Sequence, residues 1–172
     1  MPHDFTGWIH FIAAIIALIA GSMILGTRKG NARHRVTGRI YGAAMILVCI
    51  TAFMIYRVHG KLGILHFFAF NSTITLLLGM LPLYTRWFKT PIIHHLSWMY
   101  WSVIGLYCAF AAEVFTRLPY LLGIKNSFGI FYALVGVSTG LVGFVGSRFF
   151  KKKKDVWITQ FVDAPAAGEP AS

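Results

Sequence analysis

The sequence predicts an all-α protein: a polytopic transmembrane bundle of five helices, with its N-terminus outside and its C-terminus in the cytoplasm. The composition is the first observation behind this prediction, because 57% of the 172 residues are hydrophobic, only 12% are charged, and the mean hydropathy is +0.67. A soluble domain carries about 25% charged residues, so this chain lacks the polar surface to cover a water-facing globule. The other observations are five long apolar runs and the uneven distribution of the basic residues between them.

The first apolar run, Trp8–Gly26, predicts a retained transmembrane helix. A helix that crosses a hydrocarbon core of about 30 Å needs about 20 apolar residues. Residues 1–4 contain no Lys or Arg, and no cleavage site of small residues follows, so the run is not expected to be a removable signal peptide. Its small residues Ala13, Ala17 and Gly21 have helical spacing and allow close packing against another helix.

Four further runs of similar length predict the remaining helices. Aromatic residues such as Tyr41, Tyr56 and Trp98 lie near the ends of these runs, where amphipathic rings prefer the membrane–water interface. In the last run, Gly136 and Gly140 repeat the small-residue spacing. The four runs are Ile40–Val58, Leu62–Leu81, Ile92–Phe115 and Ser127–Phe149.

The domain organisation follows from a change of composition near residue 150. Residues 1–150 predict the five-helix transmembrane domain. Residues 151–172 begin with four lysines and then become polar and rich in Pro, Ala and Gly. This second part predicts a basic juxtamembrane segment followed, after Lys154, by a disordered tail.

The orientation is predicted from the basic residues on the two sides of the spans. The first loop holds five Lys and Arg, the third loop two and the C-terminal side five, whereas the second and fourth loops together hold four. Cytoplasmic segments carry the excess of positive charge, so five spans place the N-terminus outside. The cytoplasmic set is Arg28, Lys29, Arg33, Arg35, Arg39, Arg86, Lys89, Arg148 and Lys151–Lys154, and the other set is Arg57, Lys61, Arg117 and Lys125.

The net charge of +11 does not predict a nucleic-acid-binding protein. The Lys and Arg residues lie between the apolar runs, at their ends or after them, which is the charge pattern of a membrane protein rather than of a basic groove. We therefore expect the lipid bilayer as a partner, and no nucleic acid.

Three ionisable residues within the spans predict a cluster at the outer face. His10 and His66 lie near the outer ends of the first and third spans, and Glu113 lies near the outer end of the fourth. Ionisable groups in spans are costly and commonly functional. Two His and one Glu can bind a catalytic zinc ion, whereas two imidazoles on facing helices can hold a haem iron, with the carboxylate orienting a ring N–H. Alternatively, each group hydrogen-bonds to water or to a neighbouring helix.

A second cluster is predicted at the cytoplasmic face. His34, Arg35 and Arg39 surround the start of the second span, and His94 and His95 open the fourth. Guanidinium groups bind phosphate and carboxylate in a bidentate manner, so the cluster could bind a lipid phosphate, haem propionates or a quinone ring. The alternative is anchoring by positive charge alone. A pair of His34 with His94 or His95 would complete one bis-His pair near each face, as transmembrane electron transfer requires.

Two motifs in this second cluster resemble a known family. The segments His-Arg-Val-Thr-Gly-Arg-Ile-Tyr, residues 34–41, and His-Leu-Ser-Trp-Met, residues 95–99, resemble the bacterial membrane proteins filed as domain of unknown function 2306. The resemblance covers residues 8–148 and implies a small helical bundle in the bacterial cytoplasmic (inner) membrane. It implies a shared site made of His34, Arg35, Arg39, His95, Trp98 and Met99, but no particular reaction.

The sequence thus favours a small membrane redox protein that binds haem b or a quinone between its helices and exchanges electrons with a membrane partner. A zinc-dependent membrane enzyme that uses His10, His66 and Glu113 is the first alternative. An accessory subunit of a larger membrane complex is the second. The chain contains no H-E-x-x-H or phosphate-binding loop motif.

Overall fold

The computed structural model describes residues 5–59, 64–85, 87–121, 123 and 128–163. Within these ranges the chain forms helices and no strands, and every helix is long and apolar enough to cross a membrane. This confirms the all-α class and the five predicted spans. The helices are α1 (Phe5–Gly26), α2 (Ala32–His59), α3 (Ile64–Tyr84), α4 (Pro91–Leu121) and α5 (Phe128–Val162).

Helix α2 begins at Ala32, well before the predicted span start at Ile40. Asn31 is its N-cap: the side-chain Oδ1 accepts a hydrogen bond of 2.8 Å from the backbone N–H of His34. Gly30 precedes the cap with a φ of 79°, which a residue with a side chain rarely adopts. The hydropathy pattern marks only the apolar part of α2, whereas the cap sets where the helix starts.

Helices that are neighbours in sequence pack against each other, as short connections require. The pairs α1–α2 and α3–α4 are the most extensive, and the contacts α2–α3 and α1–α4 close a four-helix bundle. Within the described ranges α1 and α3 do not pack directly on each other, so they lie diagonally across the bundle, as do α2 and α4. Helix α5 packs on the outside, against α4.

Small residues and one tyrosine form the centre of the bundle. Ala17 is fully buried, and a side chain added at Gly21 would lie 3.2 Å from Val103 and 3.3 Å from Tyr41. Tyr41, also fully buried, crosses the α2–α4 diagonal with a 2.9 Å hydrogen bond to Ser102. The predicted close packing of the α1 row is therefore confirmed. By contrast, Gly136 and Gly140 of α5 are exposed, and a Cβ atom added at either position would meet no atom of another described element within 4 Å.

Helix α5 continues beyond the predicted span end at Phe149, through the four lysines, to Val162. The expectation of a disordered tail after Lys154 is wrong for residues 155–162, because Trp157 is only 4% exposed and belongs to a buried cluster with Leu96, Tyr100 and Ile104. Burial of this indole ring extends the helix past the basic segment. Residues 164–172 of the predicted tail lie outside the described residues.

Candidate functional site at the α1–α2 turn

Two histidines from diagonally opposite helices face each other at one end of the bundle. His34 lies in the first turn of α2 and His95 in the first turns of α4. Their ring centroids are 6.5 Å apart and their planes are perpendicular. The start of α2 and the start of α4 are thus brought together although 61 residues separate the two side chains.

His95 has a fixed orientation. Its Nδ1 lies 2.7 Å from the backbone carbonyl oxygen of Gly79 in α3, and its side chain is buried. A carbonyl oxygen can only accept, so Nδ1 carries the hydrogen and donates it. The second ring nitrogen, Nε2, therefore keeps its lone pair and is free to accept a hydrogen bond or bind a metal.

His34 carries a buried nitrogen that the described residues do not satisfy. Its Nδ1 is inaccessible to solvent and has no hydrogen-bond partner there. Buried polar atoms almost always have a partner, and an exception commonly marks a site for water or an ion. This nitrogen is the strongest single indication that the site takes a ligand.

Lys29, which precedes α2, is the third basic group of the site. It is 2% exposed, and its ammonium group donates to the carbonyl oxygens of Ile24 and Thr27 at the end of α1, the latter at 3.1 Å. The ammonium also lies 4.5 Å from the centre of the Trp157 ring. Burial lowers the pKa of Lys29 to about 8. Lys29 thus caps α1 and joins it to α5.

A cavity of about 30 Å³ lies between these groups. His34, His95 and Lys29 line it together with aromatic residues of α4 and α5, including Trp157 and Phe161. The Phe161 ring lies 5.3 Å from the His34 ring and 6.1 Å from the His95 ring, measured between centroids. A space of this size accommodates ordered water, so a larger ligand requires the α5 side chains to move.

The other residues predicted for the cytoplasmic cluster lie outside this cavity. The side chains of Arg35 and Arg39 are exposed on α2. His94 packs against Phe88, with ring centroids 5.0 Å apart, and Trp98 is partly buried on α4. Of the two candidate partners of His34, the structure brings His95 and not His94 to it.

The predicted outer metal site is not assembled. No three His, Cys, Asp or Glu side chains in the described part of the chain are placed to hold a metal ion, so the structure gives no support to the expected zinc site at His10, His66 and Glu113. His10 instead makes a 2.9 Å hydrogen bond through Nδ1 to the Thr51 hydroxyl, and Glu113 forms an ion pair with Arg117. His66 lies on α3, diagonally across from α1. Equal depth does not make residues neighbours when their helices are diagonal.

Several residues of the site were not predicted from the sequence. Lys29 contributed to the prediction only as one of the positive charges of the first loop. A lysine near the C-terminus of a helix often binds the last carbonyl groups, and this signal could have identified it. Gly79 contributes through its carbonyl group, which the residue type does not reveal. Trp157 and Phe161 lie beyond the predicted span and within the expected tail.

No family model, curated protein or solved structure matches this chain.

Proposed function

We propose that this protein is a membrane redox protein that binds haem b between His34 and His95. The main observation behind this proposal is the 6.5 Å separation of the two imidazole centroids. Two metal–nitrogen bonds of about 2 Å, together with the radii of the two rings, place a pair of axial imidazoles about 6 Å apart. The facing pair has this spacing without any change of the backbone.

The surroundings of both rings support the proposal. A metal-binding histidine usually donates its other ring N–H to a carboxylate or backbone carbonyl, as His95 does to Gly79. His34 has a buried nitrogen without a partner in the described residues. Lys29 places a cationic group at the same cavity, which suits the propionate groups of a haem.

A quinone is the second candidate, and the aromatic lining of the cavity favours it. Tyr100, Trp157 and Phe161 surround the two imidazoles and offer flat surfaces to a planar ring. The histidines and Lys29 would then hydrogen-bond to the quinone oxygens. A quinone contains no iron and forms no metal–nitrogen bonds with the histidines. It therefore lacks the visible absorption bands of a haem, and the two candidates differ in their spectra.

The visible spectrum of the purified protein separates these candidates. After expression with a haem precursor, we expect a Soret band and, on reduction with dithionite, the sharp bands of a six-coordinate haem b, at one haem per chain. Addition of haemin to colourless protein controls for incomplete loading. Colourless protein that fails to bind haemin but retains an extractable quinone would replace the first candidate by the second.

The orientation and location are also part of the proposal. We infer an outside N-terminus and a bacterial cytoplasmic membrane from the excess of Lys and Arg in the first loop, third loop and C-terminal segment. The His34–His95 site then faces the cytoplasm. We also propose that the chain belongs to the family of domain of unknown function 2306, because the two motifs that resemble this family supply His34 and His95.

Reporter fusions test the orientation. A fusion after Lys89 or after Asp163 should give a cytoplasmic signal, and a fusion after Lys61 should give an external one, because positively charged loops are retained in the cytoplasm. Paired alkaline phosphatase and fluorescent protein reporters measure both outcomes. A cytoplasmic signal after Lys61 would reverse the orientation and move the site to the outer face.

A further inference from the structure

The end of α5 covers the histidine pair. Residues 151–162 continue the helix beyond the last predicted span and present two different sides. Lys151 and Lys152 are exposed, and Val156 is 52% exposed, whereas Trp157 is buried and Phe161 packs around it. The side of the segment that carries Trp157 and Phe161 therefore faces the site.

Lys29 joins this segment to α1. The backbone N–H of Lys29 donates a 3.1 Å hydrogen bond to the Gln160 side-chain oxygen, and its ammonium group lies over the Trp157 ring. The same ammonium group is held by carbonyl oxygens of Ile24 and Thr27. The contact is thus anchored to the end of α1.

We propose that residues 151–162 form a lid on the His34–His95 site, held closed by Lys29 through Gln160 and Trp157. The cavity of about 30 Å³ has room for water only, and the Phe161 ring packs on both imidazole rings. Any planar ligand that reaches both rings must displace Phe161. The ligand follows from the proposed function, whereas the lid follows from these contacts alone.

Thiol labelling measures the opening of the lid without any haem. Met99→Cys, in a chain that also carries Cys49→Ser and Cys108→Ser, places the reporter thiol in the cavity lining. Its rate of reaction with a maleimide in detergent, relative to the denatured protein, follows the population of open molecules.

Gln160→Ala removes one lid contact without removing an atom of the cavity lining, and we expect it to raise the labelling rate about fivefold. Lys29→Met keeps the backbone N–H that bonds to Gln160 but removes the cation from the Trp157 ring and from the α1 carbonyl groups, and it should raise the labelling rate at least tenfold. The matched control is Thr159→Ala, because Thr159 is exposed and its hydroxyl bonds only within α5, to the Asp155 carbonyl oxygen. It should leave the rate unchanged.

A second reporter separates lid opening from general loosening. Cys49 is 6% exposed in the centre of the bundle, and in a chain with Cys108→Ser its labelling reports opening of the whole bundle. Faster labelling at position 99 with unchanged labelling at Cys49 supports the lid. Equal rates in Gln160→Ala and Thr159→Ala, or parallel acceleration at both reporters, would overturn it. Absence of haem would refute the proposed function and leave this result valid.

Discussion

His34→Ala and His95→Ala should each abolish haem binding, whereas His94→Ala should leave it intact. The two facing imidazoles have a centroid separation of 6.5 Å, which is suited to axial coordination from both sides. Loss of either ring opens one coordination position and removes one of only two bonds between protein and iron. We expect the haem content to fall at least tenfold in either variant.

His94 is the matched control because it is adjacent to His95 in sequence and has the same side chain. Its ring packs against Phe88 and not against His34. The measurement is the amount of haem per chain, determined as the pyridine haemochrome. It is compared between variants that give equal yields of folded protein. Retention of six-coordinate haem in the His34→Ala or His95→Ala variant would refute this assignment of the axial ligands.

Gly79→Ala should destabilise the protein, by about 1–3 kcal/mol, the usual range for an overpacked core position. A Cβ atom at this position would lie 2.6 Å from the sulfur of Met99 and 3.1 Å from the Met99 backbone nitrogen. The methionine side chain can rotate away, but the backbone nitrogen can move only if α3 separates from α4. The same shift would displace the carbonyl group that orients His95.

Gly140→Ala is the control for this substitution. Gly140 also lies within a helix, yet a Cβ atom there meets no described atom within 4 Å. Because alanine is the better helix former, this variant should be neutral or slightly more stable. Thermal midpoints in detergent measure both variants. Equal thermal midpoints in the two variants would contradict the prediction, because they would show that α3 and α4 can separate slightly without loss of stability. We also expect the haem content to fall in Gly79→Ala and not in Gly140→Ala.

The fold class could be predicted because each span is a local property of the sequence. Apolar runs of about the length that crosses the hydrocarbon core identified all five helices, and the spacing of Ala13, Ala17 and Gly21 identified a buried face of α1. The limits of α2 and α5 were missed for a different reason. A cap at Asn31 and burial of Trp157 determine those limits, and neither changes the hydropathy of the span.

The site was only partly predictable. Position along each helix gives depth, and depth correctly grouped His34 with the start of α4. Depth carries no information on which helices are neighbours, so it also grouped His10 with His66, whose helices lie on a diagonal of the bundle. Lys29 looked like a surface charge because its burial depends on α5, which is more than a hundred residues away.

The pairing of helices has a consequence for biogenesis. Helices α1 and α2 form one hairpin and α3 and α4 another, and each hairpin can insert into the membrane as a unit before the two associate. His34 belongs to the first hairpin and His95 to the second. Neither hairpin alone offers two ligands. A cofactor that needs both histidines is therefore acquired only after synthesis and docking of the second hairpin, so cofactor content reports completed assembly rather than membrane insertion.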